Sequence, residues 1–386
     1  MIREHATRMA IVTIAPGRVL SVSILIPCLN EARFIRGCLS SVLEFAVPGG
    51  TELREVLVID GGSADGTPDI VREMAKVDTR IRLLDNPGRI QSTALNIALR
   101  VASGDYIMRL DAHSSYPANY LGLALETSMR TGCENVGGLF ITQTRGEGYA
   151  AALVQALTTH KFGVGDAGYR TGAKEGQADT VPYGFFPRAL FDRIGLFDER
   201  LVRAQDYEMN QRILAAGGCV WRNPAIQVKY YQQPDLYSFI RKQIVHEAPY
   251  NAYLWYLAPY AFAVRHAITG VFAFGVLGGL ALSPFSTTVK WIFAVVMAVY
   301  FAIAVGSAIQ QAVRYREPRH VLCLPIAFFL YHFLHGVGLL AGLLRLLTHT
   351  APVQKIAEPW PGAGRFRAWP TASVDTPLPA PARMSE

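Results

Sequence analysis

Three long apolar stretches in the last third of the chain limit its architecture more than any other feature. They cover residues 267–283, 291–312 and 321–347 and are nearly free of charged side chains. A helix needs about 20 consecutive apolar residues to cross a bilayer core, and the first stretch approaches that length when residues 262–265 are included. A buried core helix is the alternative for each stretch, but three in succession favour membrane spans. We therefore predict a transmembrane region over residues 263–347.

The basic residues around these stretches predict an orientation. The formal net charge is +7, yet no Lys/Arg-rich run with interleaved aromatic residues indicates a nucleic-acid groove. Arg314, Arg316 and Arg319 lie between the second and third stretches, whereas the preceding loop carries only Lys290. Because cytoplasmic loops are enriched in Lys and Arg, residues 1–260 are predicted to be cytoplasmic. The third stretch either crosses the membrane or re-enters it, since His and Gly residues interrupt it.

The termini and the cysteines predict little chemistry. Residues 1–18 lack the features of a signal peptide and are expected to be a flexible extension, and residues 348–386, rich in Pro and Ala, a disordered tail. The five cysteines form no CxxC pair and are odd in number, so reduced structural thiols are expected in a cytoplasmic domain. These cysteines are Cys28, Cys38, Cys133, Cys219 and Cys323.

Residues 19–110 alternate between short buried strands and amphipathic helices. Strands are predicted at residues 22–27, 56–59, 81–84 and 106–110, with helical patterns at 35–43, 70–75 and 94–102. Such alternation predicts an α/β fold with a parallel sheet covered by helices on both faces. In these sheets, ligands bind beyond the carboxyl ends of the strands.

Polar residues follow three of these strands. They are Asn30-Glu31, the segment from Asp60 to Thr67, and Asp111-Ala112-His113. Alternate side chains of a strand point to the same side, so Asp111 and His113 face one side where the strand geometry persists. A divalent cation could be held between them, whereas a solvated turn is the alternative for this tripeptide taken alone. Convergence of the three segments on one sheet edge favours a binding site.

The second half of the soluble part is less regular. Residues 163–180 are rich in Gly and predict a mobile surface loop. A short helix is expected at 188–194, and another begins at Gln205 and ends at Gly217-Gly218, which places Asp206 at a helix start. Residues 231–262 are rich in Tyr and Trp, a composition that favours helices lying in the membrane interface; an aromatic-rich soluble subdomain is the alternative.

Five segments in this order resemble the inverting glycosyltransferases of family 2. They are residues 26–31, 58–67, 94–96, 109–113 and 205–208, and the similarity covers roughly residues 20–245. Within that family, residues 111–117 and 180–199 are similar to bacterial exopolysaccharide enzymes of the succinoglycan ExoA type. The resemblance implies a GT-A fold, a Rossmann-like nucleotide-sugar domain over residues 19–230. It also implies a bacterial enzyme that transfers one sugar, glucose from UDP-glucose, in surface-glycan synthesis. A cytoplasmic active site tied to the inner membrane by aromatic helices and apolar spans predicts that the acceptor is a polyprenyl-diphosphate-linked sugar.

The resemblance also implies a donor site and a divalent cation, Mn²⁺ or Mg²⁺. Donor contacts are expected at Pro27, Asn30, Glu31, Asp60 and Asp111. A cation held by Asp111, with His113, would stabilise the charge that develops on the leaving diphosphate. The usual motif of the family is Asp-x-Asp, so His113 is a departure; an imidazole suits Mn²⁺ better than Mg²⁺, or His113 contacts phosphate directly.

Asp206 matches the base of the family, which removes the proton from the acceptor hydroxyl. The helix start keeps a carboxylate ionised, although Asp206 could merely cap its helix, and Glu208 is the competing base. Gly184, Phe185, Arg188 and Gln205 resemble acceptor-side residues, with ordinary packing as the alternative.

Other functions are less well supported. A processive polysaccharide synthase would carry a Gln-x-x-Arg-Trp motif, but Ile244 to Glu247 follow Gln243. A polyprenyl-phosphate-sugar synthase would share the catalytic half, and a non-catalytic membrane scaffold would not need Asp60, Asp111 and Asp206. A Rossmann dehydrogenase is disfavoured because no GxGxxG follows the first strand. The sugar, the linkage and the oligomeric state are not encoded in these motifs.

Overall fold

A mixed sheet of eight strands forms the centre of the soluble part. The computed structural model describes residues 18–144, 146 and 148–353, so most of both predicted terminal extensions lies outside the described residues. The strand order across the sheet is β3-β2-β1-β4-β7-β5-β8-β6. The strands are β1 (Leu20–Cys28), β2 (Thr51–Asp60), β3 (Ile81–Asp85), β4 (Tyr106–Arg109), β5 (Asn135–Gln143), β6 (Gly176–Gln177), β7 (Phe185–Pro187) and β8 (Val220–Tyr231).

Helices cover both faces of this sheet and then continue into an apolar bundle. In the soluble part they are α1 (Ile35–Leu43), α2 (Thr67–Val77), α3 (Gln91–Val101), α4 (Tyr120–Thr131), α5 (Tyr149–Thr158), α6 (Lys161–Val164), α7 (Gly168–Thr171), α8 (Ala189–Ile194) and α9 (Gln205–Ala215). After β8 they are α10 (Leu236–Lys242), a π-helix (Gln243–Glu247), α11 (Ala248–Leu257), a 3₁₀ turn (Pro259–Ala261), α12 (Val264–Leu282), α13 (Thr287–Tyr315) and α14 (His320–Leu347).

The parallel arrangement of β3, β2, β1 and β4 confirms the α/β prediction for the first half. Val22, Ile24 and Ile26 of β1 belong to one hydrophobic core, and Leu25 belongs to a second core on the opposite face. Because both faces of these strands are buried, apolar residues follow one another without alternation. The same pattern made the strands recognisable in the sequence.

The second half departs from the predicted parallel sheet. β7 pairs antiparallel with β4 and β5, and β6 pairs antiparallel with β8. Residues 163–180, predicted to be one loop, contain α6, α7 and β6. These elements are two to four residues long, which is too short to show a periodic apolar pattern.

Two of the five cysteines form a disulfide. Cys133 and Cys219 have Cα atoms 4.9 Å apart and precede β5 and β8, in which Asn135 pairs with Val220. The expectation of five reduced thiols is wrong at these two positions, because strand pairing joins cysteines that are 86 positions apart in the sequence. The other cysteines have free thiols: Cys28, Cys38 and Cys323.

Among the described residues, three helices are long and apolar enough to cross a membrane. α12, α13 and α14 contain 19, 29 and 28 residues. α14 continues without a break through Pro325, so it is one helix and has no re-entrant shape. It packs tightly on α12 at Gly336, where a Cβ would lie 2.0 Å from the carbonyl oxygen of Thr269. α10, the π-helix and α11 also contact α14 and thereby join the soluble part to the bundle.

Candidate active site

One cavity of about 750 Å³ extends from the sheet edge to the apolar bundle. Asp111 and Asp206 line it on the side of the sheet. Side chains of the bundle line it on the other side: Thr269, Phe272, Tyr300, His332 and His335. Polar groups of the soluble domain and side chains of the predicted membrane region therefore share one space.

A buried arginine joins the two carboxylates. Arg109, the last residue of β4, is 3% exposed, and its guanidinium lies 5.0 Å from the centre of the Tyr183 ring. Its Nη2 lies 2.8 Å from Oδ1 of Asp111 and 3.3 Å from Oδ2 of Asp206. Sequence reasoning missed Arg109; the only signal was a charged residue at the end of an otherwise apolar strand.

Asp206 lies in the first turn of α9, as predicted. Ala204, which precedes the helix, has a left-handed backbone with φ +64° and turns the chain into it. Oδ1 of Asp206 is buried and has no hydrogen-bond partner among the described residues. Burial raises the pKa of Asp206 to about 6, against the lowering effect of the Arg109 charge, and the charge of Asp111 raises it further. A carboxylate with such a pKa can accept a proton near neutral pH.

Two glutamines connect the starts of α3 and α9. Gln91 donates a hydrogen bond to Oδ1 of Asp111 at 3.2 Å, and Gln205 donates one to the side-chain oxygen of Gln91. Both glutamines line the cavity. Gln205 is thus placed next to the carboxylates, and Gln91 is a second residue that sequence reasoning missed.

The loops after β1 and β2 interlock, and they hold most of the predicted donor residues. Asn30 has φ +56°, and its side-chain oxygen accepts a hydrogen bond from the Ala64 N–H at 2.9 Å. Oδ2 of Asp60 accepts hydrogen bonds from the N–H groups of Gly62 and Ser63, both at 2.9 Å. Asp60 is 6% exposed and does not line the cavity, so its visible role is to shape its own loop.

Glu31 and His113 meet beside this loop pair. Nδ1 of His113 lies 2.9 Å from Oε1 of Glu31, which connects the ends of β1 and β4. Pro27, in β1 opposite Ile59 of β2, lies just before the same edge. Glu31, His113 and Pro27 are not among the residues that line the cavity.

Within the described residues, no group of three His, Cys, Asp or Glu side chains could hold a metal by itself. Magnesium in phosphate-transfer sites is held by one or two carboxylates together with substrate phosphates. Asp111 satisfies that requirement because it lines the cavity with 16% of its side chain exposed. The residues present are therefore compatible with a cation that binds together with a diphosphate.

The four predicted acceptor residues do not lie together in the structure. β7 runs antiparallel to β4, so it carries Arg188 toward the amino end of β4, where its N–H donates to the carbonyl of Asp105. Phe185 is buried and stacks on Tyr106 with ring centres 5.0 Å apart. Only the carbonyl of Gly184 reaches the site, where it accepts a hydrogen bond from the Arg109 N–H. The structure therefore supports a packing role for Phe185 and Arg188 and places Gln205 alone of the four on the cavity.

Glu208, the competing base, lies in the core. It is 1% exposed, pairs with Arg212 at 2.5 Å and accepts a hydrogen bond from the hydroxyl of Tyr260. It does not line the cavity. Its partners make Glu208 a structural link between α9 and the interfacial segment.

Comparisons of sequence agree with this geometry. Residues 23–149 match Glycosyl transferase family 2. The chain is 35% identical over 216 residues to the succinoglycan biosynthesis protein ExoA of Rhizobium meliloti, an alignment that covers 55% of this chain and 64% of that protein. It is 29% identical to a dolichyl N-acetyl-alpha-D-glucosaminyl phosphate 3-beta-D-2,3-diacetamido-2,3-dideoxy-beta-D-glucuronosyltransferase of Methanococcus voltae, over 84% of this chain and 97% of that protein.

A solved structure shares the fold. The mannosyltransferase PcManGT of Pyrobaculum calidifontis, solved in complex with GDP-Man and Mn²⁺, aligns with a TM-score of 0.52 and 19% sequence identity. The alignment covers 84% of this chain and 86% of that one. This chain therefore shares its fold with that mannosyltransferase.

Proposed function

Since this chain carries a family 2 glycosyltransferase domain with a GT-A fold, we propose that it transfers one sugar, glucose from UDP-glucose, to a sugar carried on a polyprenyl diphosphate. The observation that supports this proposal most directly is the shared cavity, because Asp111 and Asp206 open onto the same space as α12, α13 and α14. A site for a soluble acceptor would not need walls from membrane-length helices.

The donor binds at the carboxyl ends of β1, β2 and β4 in this proposal. Pro27, Asn30, Glu31 and Asp60, which lie at the ends of β1 and β2 and do not line the cavity, are the proposed nucleoside contacts. Asp111, with His113 as the second candidate ligand, would hold a divalent cation. The bound cation supplies positive charge to the leaving diphosphate. Arg109 and Gln91 orient Asp111, since they lie 2.8 Å and 3.2 Å from its Oδ1.

Asp206 acts as the base toward the acceptor. Its unpartnered Oδ1 accepts the proton of the acceptor hydroxyl while the oxygen of that hydroxyl attacks the anomeric carbon and the nucleoside diphosphate leaves. Arg109, through its contact with Oδ2 of Asp206, holds the carboxylate toward the cavity. Attack from the face opposite the leaving group inverts the anomeric configuration.

Contacts of the bundle support a catalytic domain on the cytoplasmic face of a bacterial inner membrane. The guanidinium of Arg319, before α14, lies 4.3 Å from the ring centre of Tyr149, and Arg314 donates to the carbonyl of Thr159 at 3.2 Å. Arg265, at the start of α12, pairs with Asp179. The basic loop between α13 and α14 therefore lies on the side of the catalytic domain, which the positive-inside rule assigns to the cytoplasm.

A polyprenyl monophosphate carrier is the second candidate. The name of the Methanococcus voltae relative describes transfer onto a sugar linked to dolichyl phosphate. Processive synthesis has less support, since the π-helix carries Gln243 without the Arg-Trp pair of processive enzymes.

A donor panel tests the proposal. The detergent-solubilised chain is assayed for sugar release and for transfer to a membrane lipid extract, with UDP-glucose, other UDP-sugars and GDP-mannose, in Mn²⁺ and in Mg²⁺. Metal-dependent transfer of glucose to the lipid fraction is expected. Transfer of another sugar would correct the donor, and failure of every donor to react with either metal would contradict enzymatic function.

A further inference from the structure

More basic than acidic side chains line the cavity. Three acidic side chains line it, Asp111, Asp206 and Glu247, against six lysines and arginines. Three of the six are paired: Arg109 with both aspartates, Arg265 with Asp179, and Lys242 with Glu247 at 3.8 Å. Within the part of the chain that the structure describes, no ion pair involves the other three, which are Lys161, Arg170 and Arg203.

Arg170 projects from α7 into an aromatic enclosure. Its guanidinium carbon lies 5.2–5.3 Å from the ring centres of Phe140, Tyr169 and Tyr230. Its Nη1 is buried and has no hydrogen-bond partner among the described residues. Aromatic faces stabilise the cation, and its Nε donates to the hydroxyl of Tyr169 at 3.4 Å. Nη1 stays available for an acceptor of hydrogen bonds.

Arg203 approaches from the turn that leads into α9, two residues before Gln205. Its Nε is also buried without a partner in the described ranges. Its charge acts on His246 of the π-helix and, together with burial, lowers the pKa of that histidine. A buried N–H without a partner destabilises the protein, and a ligand oxygen would remove that cost.

The π-helix Gln243–Glu247 contributes to the same cavity as both arginines, since Gln243 and Glu247 line it. π-helical turns are rare in proteins overall, and those that occur are often at functional sites. Residues of α12, α13 and α14 also line this cavity, so a ligand held by the two arginines would share it with the membrane-length helices.

We propose that Arg170 and Arg203 form a second anion subsite, which binds the diphosphate of an isoprenoid-linked acceptor independently of the donor diphosphate at Asp111. Guanidinium groups donate N–H hydrogen bonds to phosphate oxygens, and each of the two arginines has one buried nitrogen without a partner among the described residues. The subsite rests on the proposed function for the identity of its ligand. In this proposal, Arg170 and Arg203 recognise the isoprenoid diphosphate of the acceptor. They do not select the sugar that is transferred.

Binding of farnesyl diphosphate to the full chain in detergent, measured by calorimetry with saturating UDP and Mn²⁺, tests the subsite. We expect farnesyl diphosphate to bind alongside UDP, and Arg170→Gln and Arg203→Gln each to weaken that binding at least tenfold. Arg203→Lys should give a smaller loss, since it keeps the charge but not the paired donors. Arg241→Gln is the matched control, because Arg241 is an exposed cation of α10 that does not line the cavity.

The UDP affinity of each variant serves as the test of folding and is expected to be unchanged. Unaltered farnesyl diphosphate affinity in both glutamine variants, or its displacement by UDP, would overturn the subsite. Inorganic diphosphate that binds as tightly as farnesyl diphosphate would overturn the lipid assignment, and farnesol, which has no phosphate, should not bind there. If the unaltered chain bound farnesyl diphosphate but transferred no sugar, the proposed function would be contradicted and the subsite would still stand.

Discussion

Oδ2 of Asp206 lies 3.3 Å from Nη2 of Arg109. The same nitrogen contacts Asp111 at 2.8 Å, so one buried cation positions the proposed metal ligand and the proposed base. Two carboxylates near one another would otherwise repel and favour protonation. This arrangement assigns the two aspartates to different steps of one reaction, and the assignments are testable separately.

Replacement of the base should abolish transfer but not donor binding. Asp206→Asn keeps the size of the side chain and removes its ability to accept a proton, so kcat should fall by about 10²–10⁴-fold. The affinity for UDP should change little, because Asp206 is expected to contact the acceptor. Steady-state kinetics and UDP calorimetry measure both quantities. Asp192→Asn, at an exposed position of α8, is the control; equal kcat for the two variants would contradict the base assignment.

The activity should depend on pH through Asp206. Burial raises the pKa of its carboxyl to about 6, and only the deprotonated form accepts the acceptor proton. The value of kcat/KM should therefore be constant above that pH and fall about tenfold per pH unit below it. The profile is measured at fixed free Mn²⁺ so that metal binding does not contribute. A profile that is flat down to pH 4.5 would show that Asp206 does not titrate in the free enzyme.

Glu208 should contribute to stability and not to chemistry. Its carboxylate is buried with Arg212 and Tyr260, and Glu208→Gln would leave the Arg212 charge without its partner. Breaking a buried ion pair on one side costs about 3–5 kcal/mol, so thermal unfolding in detergent should shift to a clearly lower temperature. Asp206→Asn should unfold near the wild-type temperature. A stable but inactive Glu208→Gln protein would instead make Glu208 the base.

The position of the site was predictable because the first half of the sheet follows general rules. β1 to β4 are buried on both faces and read as apolar runs, and the ligand-binding edge of such a sheet follows from their direction. The position of Asp206 at a helix start was predictable because Gln205 and Gly217 mark the start and end of α9, whereas its role as the base stays a prediction. Arg109 was not assigned, since the partner that gives it a role, Asp206, lies far along the chain.

The acceptor side was less predictable because it depends on the direction of one short strand. β7 has three residues, Phe185–Pro187, and no periodic pattern reveals that it runs against β4. That direction moves Arg188 away from the cavity, whereas Arg170 and Arg203 come to it from segments that read as loops. Local sequence contains little information about such placements, because they depend on contacts between distant elements.

Asp111 should control the response to metal more strongly than His113. Asp111→Asn removes a charge that faces the cavity, so the Mn²⁺ concentration for half-maximal activity should rise at least about 100-fold. His113 has its Nδ1 on Glu31, and its ring does not line the cavity, so His113→Gln should raise that concentration by about tenfold or less. Metal titrations of the two variants at saturating donor measure the difference. An equal or larger effect of His113→Gln would make the imidazole the principal ligand.

The packing of α14 on α12 should control acceptor binding. A Cβ at Gly336 would lie 2.0 Å from the Thr269 carbonyl oxygen and 2.6 Å from Cβ of Ala273, so Gly336→Ala forces the helices apart at a cost of about 1–3 kcal/mol. His335, which lines the cavity beside Thr269, should move with α14 and raise the KM for the lipid acceptor, whereas the KM for the donor should stay constant.

Gly278→Ala is the matched control for this substitution. Gly278 lies in α12, and among the described residues no atom beyond its own helix backbone and chain neighbours lies within 4 Å of a Cβ built there. Alanine should therefore leave both Michaelis constants unchanged and hold or slightly raise the unfolding temperature. Transfer kinetics with lipid acceptor and with donor, combined with thermal unfolding, separate the two glycines. If Gly336→Ala changed the donor KM as strongly as the acceptor KM, the helix bundle would affect the binding of both substrates. The proposal that the bundle side of the cavity binds only the acceptor would then be wrong.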